Sequence, residues 1–274
     1  MNRLILFYSS FFLFLKVNWL NIKEIFSDSI RYPFSDMPGF VAVGLFFLIT
    51  FLFVEFSDYN LDLMVYIVSF IISLVGSFVL YGYGLFIVKT GIYRSNIIPN
   101  FDLKHNLIKG IKLFIINVIY FIIPVLITFF VSIITVGRFG NGFDALFEIG
   151  GIAFAVAIIG FIIFGIFGVI ASARFADSER MLDALNIKAI IEDIRKIGLI
   201  KIILFLITIA ILIIVFLIIA SFLTDIPYIG LILSSFIFGA FLILFISRSL
   251  GLLYSNTRYW TILIIFFIIF KYYE

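Results

Sequence analysis

The sequence predicts an all-α, polytopic integral membrane protein. Three observations carry that expectation: its composition, six uninterrupted apolar runs and the one-sided placement of its basic residues. Of its 274 residues 64% are hydrophobic and 13% charged, with a mean hydropathy of +1.29, whereas soluble domains are roughly half apolar and a quarter charged. The bilayer is therefore the expected solvent. A membrane-spanning helix needs about 20 apolar residues, and a barrel strand would instead show ~10-residue alternation. The runs here are continuous, as from Leu199 to Leu223, and an open sheet would leave backbone groups unpaired in lipid. The spans drawn on this basis are 38–56, 63–88, 113–136, 149–171, 199–223 and 228–247. Laid end to end they leave only Arg138 of the 19 Lys and Arg residues on the outer side. Basic residues stay cytoplasmic, so both termini are expected inside, in the cell membrane.

In chain order, residues 1–20 form an apolar extension whose stretch Leu4 to Leu15 is too short to cross a bilayer, and we expect it at the interface. The membrane domain is expected over 21–258. It opens with an amphipathic stretch, Asn21 to Arg31, which sets Ile22, Ile25, Phe26 and Ile30 against Lys23, Glu24, Ser27, Asp28 and Arg31, the spacing of an interfacial helix. Short outer connections (Ser57 to Asp62, Gly137 to Glu148, Thr224 to Pro227) join the six spans into three hairpins. Pro227 suits the first turn of the last span, where its missing N–H matters least. Pro124 falls inside the third span and predicts a kink there. A second interfacial helix is expected over about 181–197, with Ile187, Ile190, Ile191, Ile194 and Ile197 opposed to Lys188, Glu192, Asp193, Arg195 and Lys196. A short apolar segment, 259–274, closes the chain.

Several short motifs resemble a known family. They are Ile98-Pro99-Asn100-Phe101-Asp102, Gly110-Ile111-Lys112, and Tyr120 with Pro124 four residues on. Tyr32 to Asp36, Gly82-Tyr83-Gly84, Ile226 to Gly230, and Arg248 with Gly251 and Tyr254 add to the likeness. Together they are similar to the archaeal and bacterial membrane family called domain of unknown function 4013, over about Asn21 to Tyr254. The resemblance implies a shared membrane fold and makes an archaeal source an expectation. It implies no activity.

No residue cluster announces a reaction. The midplane of every span is uncharged, which argues against proton- or ion-coupled transport, whose relays need buried ionisable groups. Neither a nucleophile elbow, a zinc-protease helix nor a phosphate-binding loop is present, His105 is the only histidine, and there is no cysteine. We expect no catalytic, metal or cofactor site, and hence no enzyme. The six outer carboxylates (Glu55, Asp58, Asp62, Asp144, Glu148, Asp225) face one Arg, giving −5 outside and +8 inside, which sums to the formal +3. A basic inner face attracts anionic headgroups at about 1 kcal/mol per residue, and Lys23, Arg31, Lys104, Lys109, Lys112, Arg195, Lys196 and Arg248 are the expected contacts. Nothing basic and aromatic projects far enough to read nucleic acid. Asn117, Tyr120 and Pro124 mark a possible helix break or polar midplane site. Small residues at helical spacing (Ser69, Ser73 and Ser77; Gly151 and Ala155; Ser235 and Gly239) predict close helix packing, within the chain or with a second copy. The leading expectation is a module that binds lipid or another membrane protein; the alternative is a permease for a small neutral or amphiphilic solute.

Overall fold

A computed structural model describes residues 20–56, 63–139, 143–224, 230 and 233–272, with the backbone alone for 51–56, 135–139, 143–150, 224, 234–235 and 259–272. The extension Leu4 to Leu15, the outer loop Ser57 to Asp62 and Pro227 lie outside the described residues. Those described are helical almost throughout and contain no strand. Helix α1 (Ile22–Arg31) begins at Asn21, whose side chain accepts from the Glu24 N–H while the Glu24 carboxylate accepts from the Asn21 N–H, both at 2.9 Å. This reciprocal cap satisfies two amides of the first turn. A 3₁₀ turn at Tyr32–Phe34, rigidified by Pro33, then swings the chain through 83° into α2 (Met37–Phe56). Next come α3 (Leu63–Ile92), α4 (Leu103–Phe139) and α5 (Phe143–Ser178), then the short α6 (Met181–Ala184) and the amphipathic α7 (Ile187–Ile197). Helix α8 (Leu199–Thr224) follows a turn at Gly198, where φ is 95° and a side chain would be strained. A π-helical segment, Leu233–Gly239, leads into α9 (Ala240–Tyr272).

Among the described residues five helices are long and apolar enough to cross a hydrocarbon core of about 30 Å at 1.5 Å per residue, and α2, bent from α1, makes a sixth where that pair is taken as one span; residues 228, 229, 231 and 232 of the last expected span lie outside the described residues. Two details differ from the sequence-based expectation. The last helix does not stop near Ser247 but runs on to Tyr272, so 259–270 continues α9. Both helices extend into the stretch Gly137 to Glu148 expected as the second outer loop, α4 to Phe139 and α5 from Phe143. Pro124 lies within an uninterrupted helix, and a Cβ placed on Gly160 of α5 would come within 3.0 Å of its ring.

Helices α3 and α9 form the centre. Helix α3 packs on α2, α4 and α9, α4 packs on α5, and α8 sits at the edge against α7, α1 and α9. Two crossings are close enough to depend on glycine. A Cβ on Gly82 would collide with the Asn106 carbonyl, and one on Gly110 with the Phe78 carbonyl, so α3 and α4 meet backbone to backbone. Gly91 and Gly251 do the same for α3 and α9. Outward faces carry large apolar side chains such as Phe129, Phe130, Ile200 and Leu217. Water would penalise such a surface; lipid does not.

The amphipathic helices pack on the bundle. Their apolar faces are covered by protein: Phe26 of α1 stacks on Phe205 of α8 and Phe245 of α9, each at 5.7 Å, while Ile25, Ile190 and Ile197 are fully enclosed. The buried stripe is also rotated from the expected one. Ile30 and Ile187 are about half exposed, whereas Ser29 and Asp193 are buried. Ser29 is accommodated because its hydroxyl donates to the Ile25 carbonyl at 2.7 Å. Asp193 is held by ionic partners described below.

Candidate functional site

The basic ends of the helices converge on three polar ties. Arg248, at 1% exposure the most enclosed charge among the described residues, donates from Nε to Asp28 Oδ1 and from Nη2 to Asn96 Oδ1, both at 2.8 Å, and from Nη1 to the Ser95 carbonyl. The Tyr32 ring covers its guanidinium face at 4.7 Å. Arginine suits this position because its planar fork serves several acceptors at once. The tie joins α1, the loop after α3 and α9. A second tie fixes α7: Asp193 Oδ2 accepts from Arg174 Nη1 at 2.6 Å and from the Tyr254 hydroxyl at 2.7 Å, and Arg174 Nε donates to the Asp183 carbonyl. Nearby, the Tyr120 hydroxyl donates to the Ala184 carbonyl at 2.8 Å, which seats α6 on α4. The third tie is more exposed. Glu179, left-handed at φ 59° just past the end of α5, accepts from Lys109 at 2.8 Å and from Lys89. These two ammonium groups, Lys109 foremost, pull its carboxyl down to about 2 from the usual 4.5. Arg258 pairs with Asp177 and stacks on Tyr93 at 4.0 Å.

Beside these ties lies a cleft of about 440 Å³ bounded by α2, α3, α4, α5 and α9. Its deeper wall is apolar, with Phe47, Leu80, Gly239 and Leu242. Five polar residues line the cleft as well: Ser77 and Tyr81 of α3, and Asn117, Ser172 and Ser247. The Ser172 hydroxyl donates to the Gly168 carbonyl at 2.7 Å and lies 3.3 Å from Asn117 Oδ1. The Asn117 amide NH₂ and the Ser247 hydroxyl have no hydrogen-bond partner among the described residues, and Ser247 is only 9% exposed. That is unusual for a helical serine here. Ser73, Ser77, Ser172, Ser249 and Ser255 all donate to a backbone carbonyl. The volume and the mostly apolar lining with a few placed polar atoms fit a small-molecule site. Among the described residues no three ligating side chains gather for a metal. The outer carboxylates have side chains outside the described residues.

The expected site residues divide. Asn117 lines the cleft, while Tyr120 and Pro124 serve packing between α4 and its neighbours. Of the expected headgroup contacts, Lys23, Arg31, Lys104 and Arg195 are exposed and Lys112 and Lys196 half-exposed. Lys109 and Arg248 turn inward to Glu179 and Asp28, which withdraws both from the headgroup contact expected of them. Asp193 likewise leaves the solvated face assigned to it, since its carboxylate is the hub of the second tie. Ser69 and Ser73 are buried toward α2, where the Ser73 hydroxyl donates to the Thr50 carbonyl at 2.9 Å, and Ser77 lines the cleft. Gly239 packs on the Phe47 ring. Gly151 and Ala155 face open space instead, with nothing within 4 Å of a Cβ built on Gly151. The side chain of Ser235 lies outside the described residues.

Sequence reasoning missed Ser172 and Ser247 in the cleft and Gly82, Gly91, Gly110 and Gly251 at the crossings. The glycines carried a signal, because three of them belong to the motifs quoted for the family resemblance. No curated protein and no solved structure matches the chain. A family model does, over residues 63–224, which takes in the cleft walls of α3, α4 and α5 but not Tyr32 to Asp36, Arg248, Gly251 or Tyr254. With more than half of its length matched, this helical membrane protein belongs to the family described as protein of unknown function DUF4013.

Proposed function

We propose that the protein is a non-enzymatic, lipid-binding membrane module, oriented with its basic end in the cytoplasm of the cell. The cleft is the observation that carries this reading. An apolar space of about 440 Å³ among membrane-spanning helices is surrounded by lipid, and acyl chains are the ready occupant. The exposed Lys23, Arg31, Lys104 and Arg195 then supply the attraction for anionic headgroups at the same end. Other membrane proteins, or a second copy, are further partners compatible with the apolar outer surface. The test is mild extraction followed by lipid mass spectrometry of the wild type and of Leu242→Trp, which fills the cleft. Lipid retained stoichiometrically by the wild type and lost from the variant supports the reading. Equal lipid in both, or none in either, refutes it.

A permease for a neutral or amphiphilic solute is the second reading, favoured by the π-helical segment that ends at Gly239 on the cleft wall, since such segments often mark sites where a helix rearranges. Uptake into proteoliposomes that Leu242→Trp abolishes supports it. Uptake indifferent to that substitution counts against it.

A further inference from the structure

The cleft has a direction. Along α3 it runs from Ser77 to Val88 and along α9 from Gly239 to Leu250, in each case about 16 Å at 1.5 Å per residue, or roughly half the hydrocarbon thickness. Ser77 stands at the middle of α3, and Val88 lies four residues from its basic end. The cleft therefore occupies the depth of one leaflet, the one at the basic end. Three of its five polar side chains lie toward one end. Ser247 adjoins Arg248, Ser172 lies two residues before Arg174, and Asn117 is bonded to Ser172, so these three gather toward the basic end, while Ser77, its hydroxyl donating to the Ser73 carbonyl, marks the deep end and Tyr81 lies one turn from it. Phe47, Leu80, Gly239 and Leu242 occupy the deeper part. A lipid of that leaflet has the same polarity profile.

The charges nearby set the kind of head. Arg248, Lys109 and Arg174 are engaged by Asp28, Glu179 and Asp193, and none of the three lines the cleft. An ionised head drawn in would meet no counter-charge, and an unpaired buried charge is strongly disfavoured. An uncharged head meets two idle donors, the Asn117 NH₂ and the Ser247 hydroxyl. Ser247 is 9% exposed and lines the cleft, and its hydroxyl is unbonded in a helix-rich protein where hydroxyls commonly bond the preceding turn. Resting on the lipid-binding reading above, we infer that the cleft takes one uncharged amphiphile, its chain toward the bilayer midplane and a carbonyl or hydroxyl oxygen of its head accepting from Asn117 and Ser247.

The test titrates the delipidated full-length protein with three probes: monoolein, oleate and phosphatidylglycerol. Saturable binding of monoolein at one per chain, at least tenfold tighter than oleate, is expected, with Leu242→Trp abolishing it. Ser247→Ala and Asn117→Leu should each weaken monoolein by about two- to tenfold, the range of one lost hydrogen bond, and leave oleate unchanged. If Asn117→Leu does not fold, Ser247→Ala alone decides. Binding of oleate or phosphatidylglycerol as tight as monoolein, or monoolein binding indifferent to Ser247→Ala, overturns the uncharged-head assignment while leaving a lipid site that Leu242→Trp blocks. No saturable binding of any probe overturns both.

Discussion

The tie around Arg248 makes a directional prediction about which of its partners matters more. The guanidinium is 1% exposed, whereas the Asp28 side chain is 43% exposed. Substituting Asp28 by Ala strands a desolvated cation whose remaining partners, the Ser95 carbonyl, Asn96 and the Tyr32 ring, are neutral; losing one member of such a pair costs about 3–5 kcal/mol. Substituting Arg248 by Met removes the buried charge itself. Asp28 then turns to water, and the loss is confined to two acceptors left without donors, about 1–3 kcal/mol. At roughly 2–3 °C per kcal/mol for a chain of this size, Asp28→Ala should lower the melting midpoint by about 6–15 °C and Arg248→Met by less. The double variant should resemble Arg248→Met rather than the sum of the two. Heating in mild detergent with size-exclusion readout measures all three. An Asp28→Ala midpoint no lower than that of Arg248→Met, or strict additivity, would refute the claim that the buried arginine depends on this carboxylate.

Three further outcomes follow from the packing and the other two ties. Gly82→Ala drives a Cβ into the Asn106 carbonyl and should destabilise by about 1–3 kcal/mol or more, whereas Gly151→Ala opens onto free space and should be neutral or stabilising by up to about 1 kcal/mol; the same melts compare them. Asp193→Ala should release α7 and speed tryptic cleavage at Arg195 and Lys196 several-fold, while Glu192→Ala, on the exposed face, leaves the rate unchanged. Glu179 has a carboxyl pulled down to about 2, so its contribution to stability is complete above pH 4.5 and disappears as pH falls through about 2. Wild-type and Glu179→Gln melting midpoints should therefore converge across that window, and a gap that stays constant from pH 5 to pH 2 would contradict the pairing with Lys89 and Lys109.

The spans were legible because a bilayer demands about 20 apolar residues in a row and little else competes with that signal. Their ends were not. The pattern from Arg248 to Arg258 is polar enough to suggest that the last helix had left the membrane, yet α9 continues through it because Asp28, Asp193 and Asp177 neutralise or accept from Arg248, Tyr254 and Arg258. The amphipathic helices were legible from their period, but not what covers them. Lipid and protein bury an isoleucine stripe equally well, and only tertiary structure shows Phe26 between Phe205 and Phe245. Asp28 and Asp193 share one ambiguity. A carboxylate flanked by bases on a helix looks solvated until a distant arginine, 220 residues away in the case of Asp28, reaches it. In the cleft, Asn117 stood out as an amide within an apolar run, whereas Ser172 fell just outside the fourth span as drawn and Ser247 at the limit of the sixth. Serines at such boundaries carry no pattern of their own.

A density map of the full-length protein in a lipid nanodisc tests the central claim most directly. The account predicts a single elongated density about 16 Å long between α3 and α9, starting beside Ser247 and Asn117 and ending near Phe47 and Gly239. A cleft closed by inward movement of Phe47 and Leu242, with no such density, would contradict it.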